Sequence, residues 1–411
     1  MCRVLIAVSG TGGHLFPGLA IAEAFRRSDL AAEVTFVGTA RGLEATVVPR
    51  AGFELERIEI AGLKRVGWRQ AVVTLLWRVP TSLLQSWRLL RRRRPDIVIG
   101  IGGYTSGPVV LMAALMGIPT LILEPNAHPG FTNRVLAPLV RAAAVAFPEA
   151  AAVFGAKARV TGNPVRPEFF TTPDQARERR ARTRERHLLI FGGSQGSRAL
   201  NERMIEALPK LWAALHERGS ALEVTATHQT GERDAAWVRA AYERVGLQER
   251  VTVVPFIERM AEEMARADLV ICRAGATTLA ELAAAGKPAI LIPLPTAADD
   301  HQRKNAQAVE RAGAARCVPQ DEATPDRLAE LIRTLLEDAA QLETMAECSR
   351  RRARPEAAQA IVALAREVMG HPARSHDGVG TPACSCSIAT GAEGSGGDAP
   401  AAVSPAEKRG C

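Results

Sequence analysis

Aromatic residues make up only 4% of this 411-residue chain, and only two of them are tyrosines. A surface that stacks bases on aromatic rings lacks its material here, which argues against a nucleic-acid-binding module. The formal charge of +8 still calls for an anionic partner, and nucleotide, nucleic acid and phospholipid surface all answer to that description. No stretch reaches the roughly 18–20 uncharged apolar residues of a membrane span, so no crossing of a bilayer is expected. The opening Met1–Val8 reads as a first strand that runs at once into glycines, without the apolar run and cleavage site of a signal peptide. The seven cysteines, at 2, 272, 317, 348, 384, 386 and 411, form no even framework and read as thiols of a reducing compartment. Cys384-Ser-Cys386 resembles neither a redox pair nor a ligand set, and His128, His228 and His301 have no partners at metal-ligand spacing.

Short Val/Ile/Leu runs alternate instead with helical segments, the pattern of an α/β fold with mostly parallel sheets. Residues 3–8 read as a strand, Ser9–His14 as a turn, Pro17 to about Arg27 as a helix and Val34–Val37 as the next strand. A first domain is expected over 1–161, ending where a strand gives way to Gly162-Asn-Pro-Val-Arg166. A second restarts with the strand Leu188–Phe191 and spans 162–354, with one amphipathic helix around Pro325–Leu342. The helix over 355–369 is expected to pack back on the first domain. Residues 370–411, rich in Gly, Ala, Ser and Pro, should form a disordered tail.

Three glycine turns follow strands: Gly10-x-Gly-Gly13, Gly102-Gly103 and Gly192-Gly-x-x-Gly196. At the carboxyl ends of parallel strands such turns let backbone approach an anionic ligand closely. None completes a dinucleotide fingerprint and no P-loop Lys-Ser/Thr follows, which argues against hydride transfer and ATP hydrolysis. The stretch Asp268–Pro295 reads strand, turn, helix and strand, with the helix opening near Thr277 or Thr278 and its free N–H groups facing the mouth of the sheet. Asp96–Leu123 follows the same plan with three extra residues before its Gly-x-Pro turn, so two similar halves are expected to face across a cleft.

Several side chains are left with two readings. Glu281 can accept hydrogen bonds from a ribose diol, or can close a capping box Thr278-Leu-Ala-Glu281. His14 is a candidate base after the first glycine turn, or a helix-capping histidine. Glu124 and Asn126 place an acid and an amide near the same opening. The basic run Arg177–Arg186 is a solvated face or an anion site. Trp68–Arg94, with Leu75, Leu76, Trp77, Leu83, Leu84 and Trp87 among Arg91, Arg92, Arg93 and Arg94, is an interfacial helix beside anionic headgroups or a crossover helix with a basic end.

Taken together, Gly10-Thr-Gly-Gly-His-Leu-Phe-Pro-Gly18, Gly102-Gly-Tyr-Thr-Ser-Gly-Pro108, Glu124-Pro-Asn126, Gly162–Arg166, Gly192–Arg198, His228-Gln229, Cys272-Arg-x-Gly-Ala-x-Thr278 and Asp300-His-Gln302 with Asn305-Ala306 form an ordered set. Over about residues 3–368 the chain resembles the bacterial UDP-N-acetylglucosamine:undecaprenyl-diphospho-muramoylpentapeptide N-acetylglucosaminyltransferases, and more widely the two-domain GT-B glycosyltransferases. The resemblance implies two Rossmann-like domains and an inverting transfer, without metal or cofactor, of GlcNAc from UDP-GlcNAc to the MurNAc 4-hydroxyl of lipid I. The family pattern assigns Ser194 to the diphosphate, Ile257 to the uracil, the backbone of Ala276, Thr277, Thr278, Leu279 and Ala280 to the phosphates, Glu281 to the ribose and Gln302 to the sugar. Asn126 and Arg166 would close over the donor, and Thr11, Gly12 and Gly13 would border the transferred sugar. His14 would be the base, with Tyr104 and Glu124 on the acceptor side. Attachment to the anionic cytoplasmic face of the inner membrane follows from a lipid-linked acceptor, and contacts with cell-wall or division proteins are compatible with it.

The match departs at Leu123-Glu-Pro-Asn126, where many members read His-Glu-Gln-Asn, so roles of that histidine and glutamine have no bearer here. A GT-B enzyme with another UDP-sugar or glycolipid acceptor and a UDP-GlcNAc 2-epimerase-like enzyme are the rival readings.

Overall fold

The computed structural model describes residues 2–9, 12–28, 31–40, 42–58, 79–171, 174–180 and 182–370. The expected disordered tail, from residue 371 on, and residues 68–78 of the proposed interfacial stretch lie outside these residues. Among them, β1 (Cys2–Ala7), β2 (Ala32–Gly38), β3 (Glu54–Arg57), β4 (Ile97–Gly100), β5 (Thr120–Glu124), β6 (Ala142–Val145) and β7 (Ala158–Val160) form a parallel sheet in the order β3-β2-β1-β4-β5-β6-β7. A second parallel sheet orders β8 (Glu185–Phe191), β9 (Glu223–Gln229), β10 (Val251–Val254), β11 (Leu269–Cys272), β12 (Ala289–Leu291) and β13 (Ala315–Cys317) as β10-β9-β8-β11-β12-β13. In each, the chain changes direction across the sheet beside its first strand, and a ligand crevice opens at the carboxyl ends of such strand pairs.

Most of these strands are apolar on both faces because helices cover both. Gly12–Arg27 and Ala357–Val368 pack on one face of the first sheet, burying Ile21, Phe25, Ile361 and Val362 with Ile6 and Ile99. Val79–Arg93 and Gly103–Leu115 cover the other, through Leu89, Leu90, Val109 and Val110. On the second sheet Arg198–Glu217, Ala235–Arg244 and Pro325–Glu337 share one core. Met260–Arg266, Ala276–Ala285 and His301–Arg311 share the other, and Ala127 and Phe147 from the first lobe belong to that same cluster.

The single helix expected around Pro325–Leu342 is two, Pro325–Glu337 and Ala339–Arg351, broken at Asp338 with ψ 84°. Thr324 caps the first by accepting from the N–H of Arg327 at 3.3 Å, and Asp338 caps the second by accepting from that of Gln341 at 2.8 Å. Part of the basic run pairs within the protein, while Arg177, Arg182 and Arg184 stay exposed. Arg179 and Arg180 donate to the buried carboxylate of Asp268, Arg177 and Arg180 also pair with Glu343, and the nearby Lys287 Nζ lies 2.5 Å from Asp174.

The duplicated unit repeats at atomic level. The N–H of Asp96 donates to the carbonyl of Arg3 and its carboxylate accepts from the N–H of Arg3 at 2.7 Å. Asp268 makes the same two bonds with His187, again at 2.7 Å through the carboxylate. Only the second aspartate is buried and doubly ion-paired, and its side chain is 0% exposed against 41% for Asp96. Removing one member of a buried ionic cluster costs about 3–5 kcal/mol, whereas losing an exposed hydrogen bond costs about 0.5–1.5 kcal/mol. Asp268→Ala is therefore expected to lower the urea midpoint several-fold more than Asp96→Ala, and equal shifts would contradict the assignment.

Candidate active site

The helix after β1 begins at Gly12, earlier than Pro17, so His14 stands inside its first turn rather than ahead of it. His14 Nδ1 lies 3.4 Å from Ser9 Oγ, and the Gly102-Gly103 turn after β4 passes directly beside the ring. A Cβ on Gly102 would sit 3.4 Å from His14 Nε2 and one on Gly103 would collide with Ser9 Oγ. Both glycines hold positive φ, 97° and 80°, so close approach and backbone conformation demand glycine together. Burial, and then the nearby His301, push the His14 imidazole down to about 4. It is neutral at pH 7 and able to accept a proton.

Across the cleft, the helix after β11 runs Ala276–Ala285 with Gly275 as its extended N-cap. It opens ahead of Thr277, and Leu279 N–H is the donor that reaches back to Gly275 O, at 3.0 Å. The amides of Ala276, Thr277 and Thr278 precede that bond and stay at the cleft end without an intrahelical acceptor. Thr278-Leu-Ala-Glu281 thus lies wholly within the helix, and its N-cap receives no side-chain bond, which removes the capping-box reading. The Glu281 carboxyl is pushed up to about 7 by burial, against the pull of Arg166 and with Glu168 adding to the rise. Arg166 lies over the rings of Phe16 and Phe169, 5.7 and 5.1 Å from their centres, and pairs with Glu168 at 2.8 Å.

Ser194 is exposed in the turn after β8, and Ile257 is buried just past β10. Gln302 Oε1 accepts from the N–H of Leu294 at 3.0 Å. Thr277 Oγ1 donates to Gly13 O at 3.2 Å and so joins the first helix to the second lobe's helix. Thr11 lies outside the described residues, as do the side chain of Tyr104 and Leu75, Leu76 and Trp77.

Glu124 does not present a carboxyl to this opening. It is 1% exposed and accepts from Asn126 N–H (2.9 Å), Asn126 Nδ2 (3.0 Å), Gly130 N–H (3.0 Å) and Asn133 Nδ2 (2.8 Å), so it shapes the loop from within. Asn126 Oδ1 in turn accepts from Asn305 Nδ2 at 3.1 Å, while Asn305 Oδ1 accepts from Ala127 N–H at 2.8 Å. Sequence reasoning gave Asn305 no task, although a fully buried amide on an otherwise apolar helix face was a signal. It also missed Arg273, whose guanidinium donates to Ser197 Oγ, Ile292 O, Pro293 O and Gln320 Oε1 and so anchors the Gly192–Ser197 turn.

On the proposed membrane helix, Trp87 is half-exposed with Arg91 5.0 Å above its ring. Arg92 and Arg93 are not free for headgroups, because Glu54 and Glu56 on β3 pair with them at 2.5–2.8 Å. Of the four-arginine block, that leaves Arg91 and Arg94 outside the glutamate pairs.

Sequence comparison places this geometry. Residues 4–145 match the glycosyltransferase family 28 N-terminal domain and residues 187–361 its C-terminal domain. The UDP-N-acetylglucosamine–N-acetylmuramyl-(pentapeptide) pyrophosphoryl-undecaprenol N-acetylglucosamine transferase of Anaeromyxobacter dehalogenans is 49% identical over 371 residues, 89% of this chain and 93% of the relative. The Myxococcus xanthus protein of the same name is 45% identical over 90% of this chain and 94% of its own. The chain belongs to the MurG family. The crystal structure of Acinetobacter baumannii MurG, 34% identical, superposes with a TM-score of 0.71 over 89% of this chain and 100% of that one. The two facing sheets are accordingly a GT-B fold. A Staphylococcus aureus MnaA–UDP structure, 13% identical with a TM-score of 0.64, shares the fold alone.

The ring environment makes its own prediction for this MurG family member. A proton NMR titration should show the His14 imidazole with a midpoint near 4, raised in His301→Ala as one positive neighbour disappears. A midpoint near 6.5 in both proteins would mean that the ring is solvated and the cleft open.

Proposed function

We propose that this enzyme transfers GlcNAc from UDP-GlcNAc to the MurNAc 4-hydroxyl of undecaprenyl-diphospho-MurNAc-pentapeptide, lipid I, giving lipid II and UDP. The observation that carries the residue assignments is the opposition of a neutral imidazole and an open helix N-terminus across one cleft, joined by the Thr277–Gly13 hydrogen bond. In this reading the diphosphate meets the amides of Ala276, Thr277 and Thr278, with Leu279 and Ala280 completing the turn that holds them. Ser194 reaches the same phosphates from the turn that Arg273 anchors. The ribose diol donates to Glu281, the uracil lies against Ile257, and Gln302, Gly12 and Gly13 border the sugar. Asn126 and Arg166 close the site from the first lobe and the linker.

The chemistry is a single displacement. The acceptor hydroxyl attacks the anomeric carbon from the face opposite UDP, the bond to the β-phosphate oxygen breaks, and configuration inverts. His14 accepts the hydroxyl proton as the new bond forms. Negative charge that develops on the leaving diphosphate is met by helix-terminal N–H groups and by Arg166, which are in place before the reaction begins. Closure of the lobes excludes water that would otherwise take the acceptor's part.

Purified protein incubated with labelled UDP-GlcNAc and a lipid I analogue in EDTA is expected to form labelled product only when acceptor is present. His14→Ala should reduce the rate by about 10²–10⁴ while UDP affinity holds. Release of UDP without acceptor would point to an epimerase or hydrolase instead, and a His14→Ala enzyme of normal rate would remove the base.

Peripheral attachment to the cytoplasmic leaflet completes the proposal. No helix among the described residues is long and apolar enough to cross a membrane, and Leu84 and Trp87 stand exposed beside Arg88 and Arg91. A basic residue near an anionic surface contributes about 1 kcal/mol, roughly fivefold in partition. Partition onto anionic vesicles should fall by that order for Arg91→Gln and distinctly less for Arg92→Gln, whose charge Glu56 already neutralises. Equal losses would detach the argument from this face.

A further inference from the structure

A small cavity with polar and apolar walls lies behind the donor helix, at the hinge. It has a volume of about 40 Å³ and is bounded by Phe147 of the first lobe, Asn163 of the linker, the Ala276–Leu279–Ala283 face of the donor helix and Arg352. Asn163 is 5% exposed, yet neither its Oδ1 nor its Nδ2 has a hydrogen-bond partner. An amide buried in that state goes without the hydrogen bonds it makes in water, so something absent from the protein itself is expected to satisfy it. Arg352 lies with its guanidinium 5.2 Å from the centre of the Phe147 ring, and no carboxylate lines the cavity. Glu149 acts on Arg352 only through space, and burial holds the guanidinium below its ordinary range.

We propose that this hinge cavity is a binding site for a small oxyanion of phosphate size. A cavity needs about 10–15 Å³ for one water, so this one has room for a tetrahedral anion or for about three waters. Hydrogen phosphate suits the lining better than water alone, because its oxygens accept from Arg352 and from Asn163 Nδ2 while its hydroxyl donates to Asn163 Oδ1. Because Phe147 and the donor helix belong to different lobes, an occupant touches both sides of the hinge. It stabilises whichever lobe arrangement keeps those walls together, by as much as its affinities for the two arrangements differ.

The test uses the full-length protein saturated with UDP, so that the donor site's own phosphate subsite is filled, and follows inorganic phosphate by titration calorimetry against chloride of equal ionic strength. Phosphate should bind, and Arg352→Gln should weaken it about ten- to a hundredfold, the equivalent of one charge-assisted hydrogen bond. Asn163→Asp, which sets a like charge in the cavity, should abolish binding without unfolding the protein, as checked by circular dichroism. Phosphate binding that UDP displaces and Arg352→Gln leaves unchanged would return the anion to the donor site and overturn the proposal. Absence of binding in the UDP-saturated wild type would leave the cavity to water and overturn it equally.

Discussion

The pair of hydrogen bonds that Asn305 makes with Asn126 and with the N–H of Ala127 is the contact on which the cleft depends. Each lobe alone holds half of the cleft: His14 and the Gly102-Gly103 turn in one, the Ala276–Ala285 helix and its open first amides in the other. The amides at 126 and 305 set how far apart these halves stand, and Glu124 makes that possible by arranging the loop that carries Asn126. Four donors converge on its carboxylate, which is how so buried an acid is tolerated despite a pKa raised by burial. It holds the loop from within, between Leu123 and Pro125.

The same cleft contains groups whose partners are incomplete in the protein alone. Glu281 sits near 7 because burial outweighs the attraction of Arg166, and Arg166 itself is shared between Glu168 and two aromatic rings. In the proposed reading a vicinal diol supplies donors for the carboxylate, and a diphosphate meets the helix amides and adds to the charge that Glu168 already sets against Arg166. Arg273 represents the opposite case. Its hydrogen bonds go to Ser197, Gln320 and two carbonyls, so its charge lies fixed behind the Gly192–Ser197 turn without contact with an acid. Preorganised charge of this kind acts on a developing anion without rearranging.

Much of this was legible from residues. Short Val/Ile/Leu runs marked β1, β4, β5, β8, β11 and β12, and the glycine turns after β1, β4 and β8 marked carboxyl ends of strands. What escaped did so for physical reasons. The Ala142–Val145 strand carries three alanines with little β preference and is held in place by neighbours on both sides, a tertiary effect that local pattern cannot register. The break at Asp338 was hidden because both helices present one continuous apolar face. The pairing of Arg92 and Arg93 with Glu54 and Glu56 joins residues far apart in sequence, so charge runs alone overstated the free basic surface. Asn305 and Asn163 were visible as residues, but their meaning lay in what surrounds them: the first buried and fully bonded, the second buried and unbonded.

The two copies of the strand–turn–helix unit show how one local plan yields two chemistries. Both begin with an aspartate that ties the new strand to the first strand of its sheet. They diverge at the turn. In the first copy, Gly102 and Gly103 take positive φ, which brings the backbone against His14 and Ser9. In the second, Gly275 remains extended at φ −67° and the helix starts directly, leaving its first amides exposed to the cleft. A base needs a confined, neutral environment, and a diphosphate needs open donors at a positive helix end. The glycine angles at the two turns, positive at Gly102 and Gly103 and negative at Gly275, are where the two copies part, so what distinguishes the lobes at the cleft resides in the turns and not in the sheets that carry them.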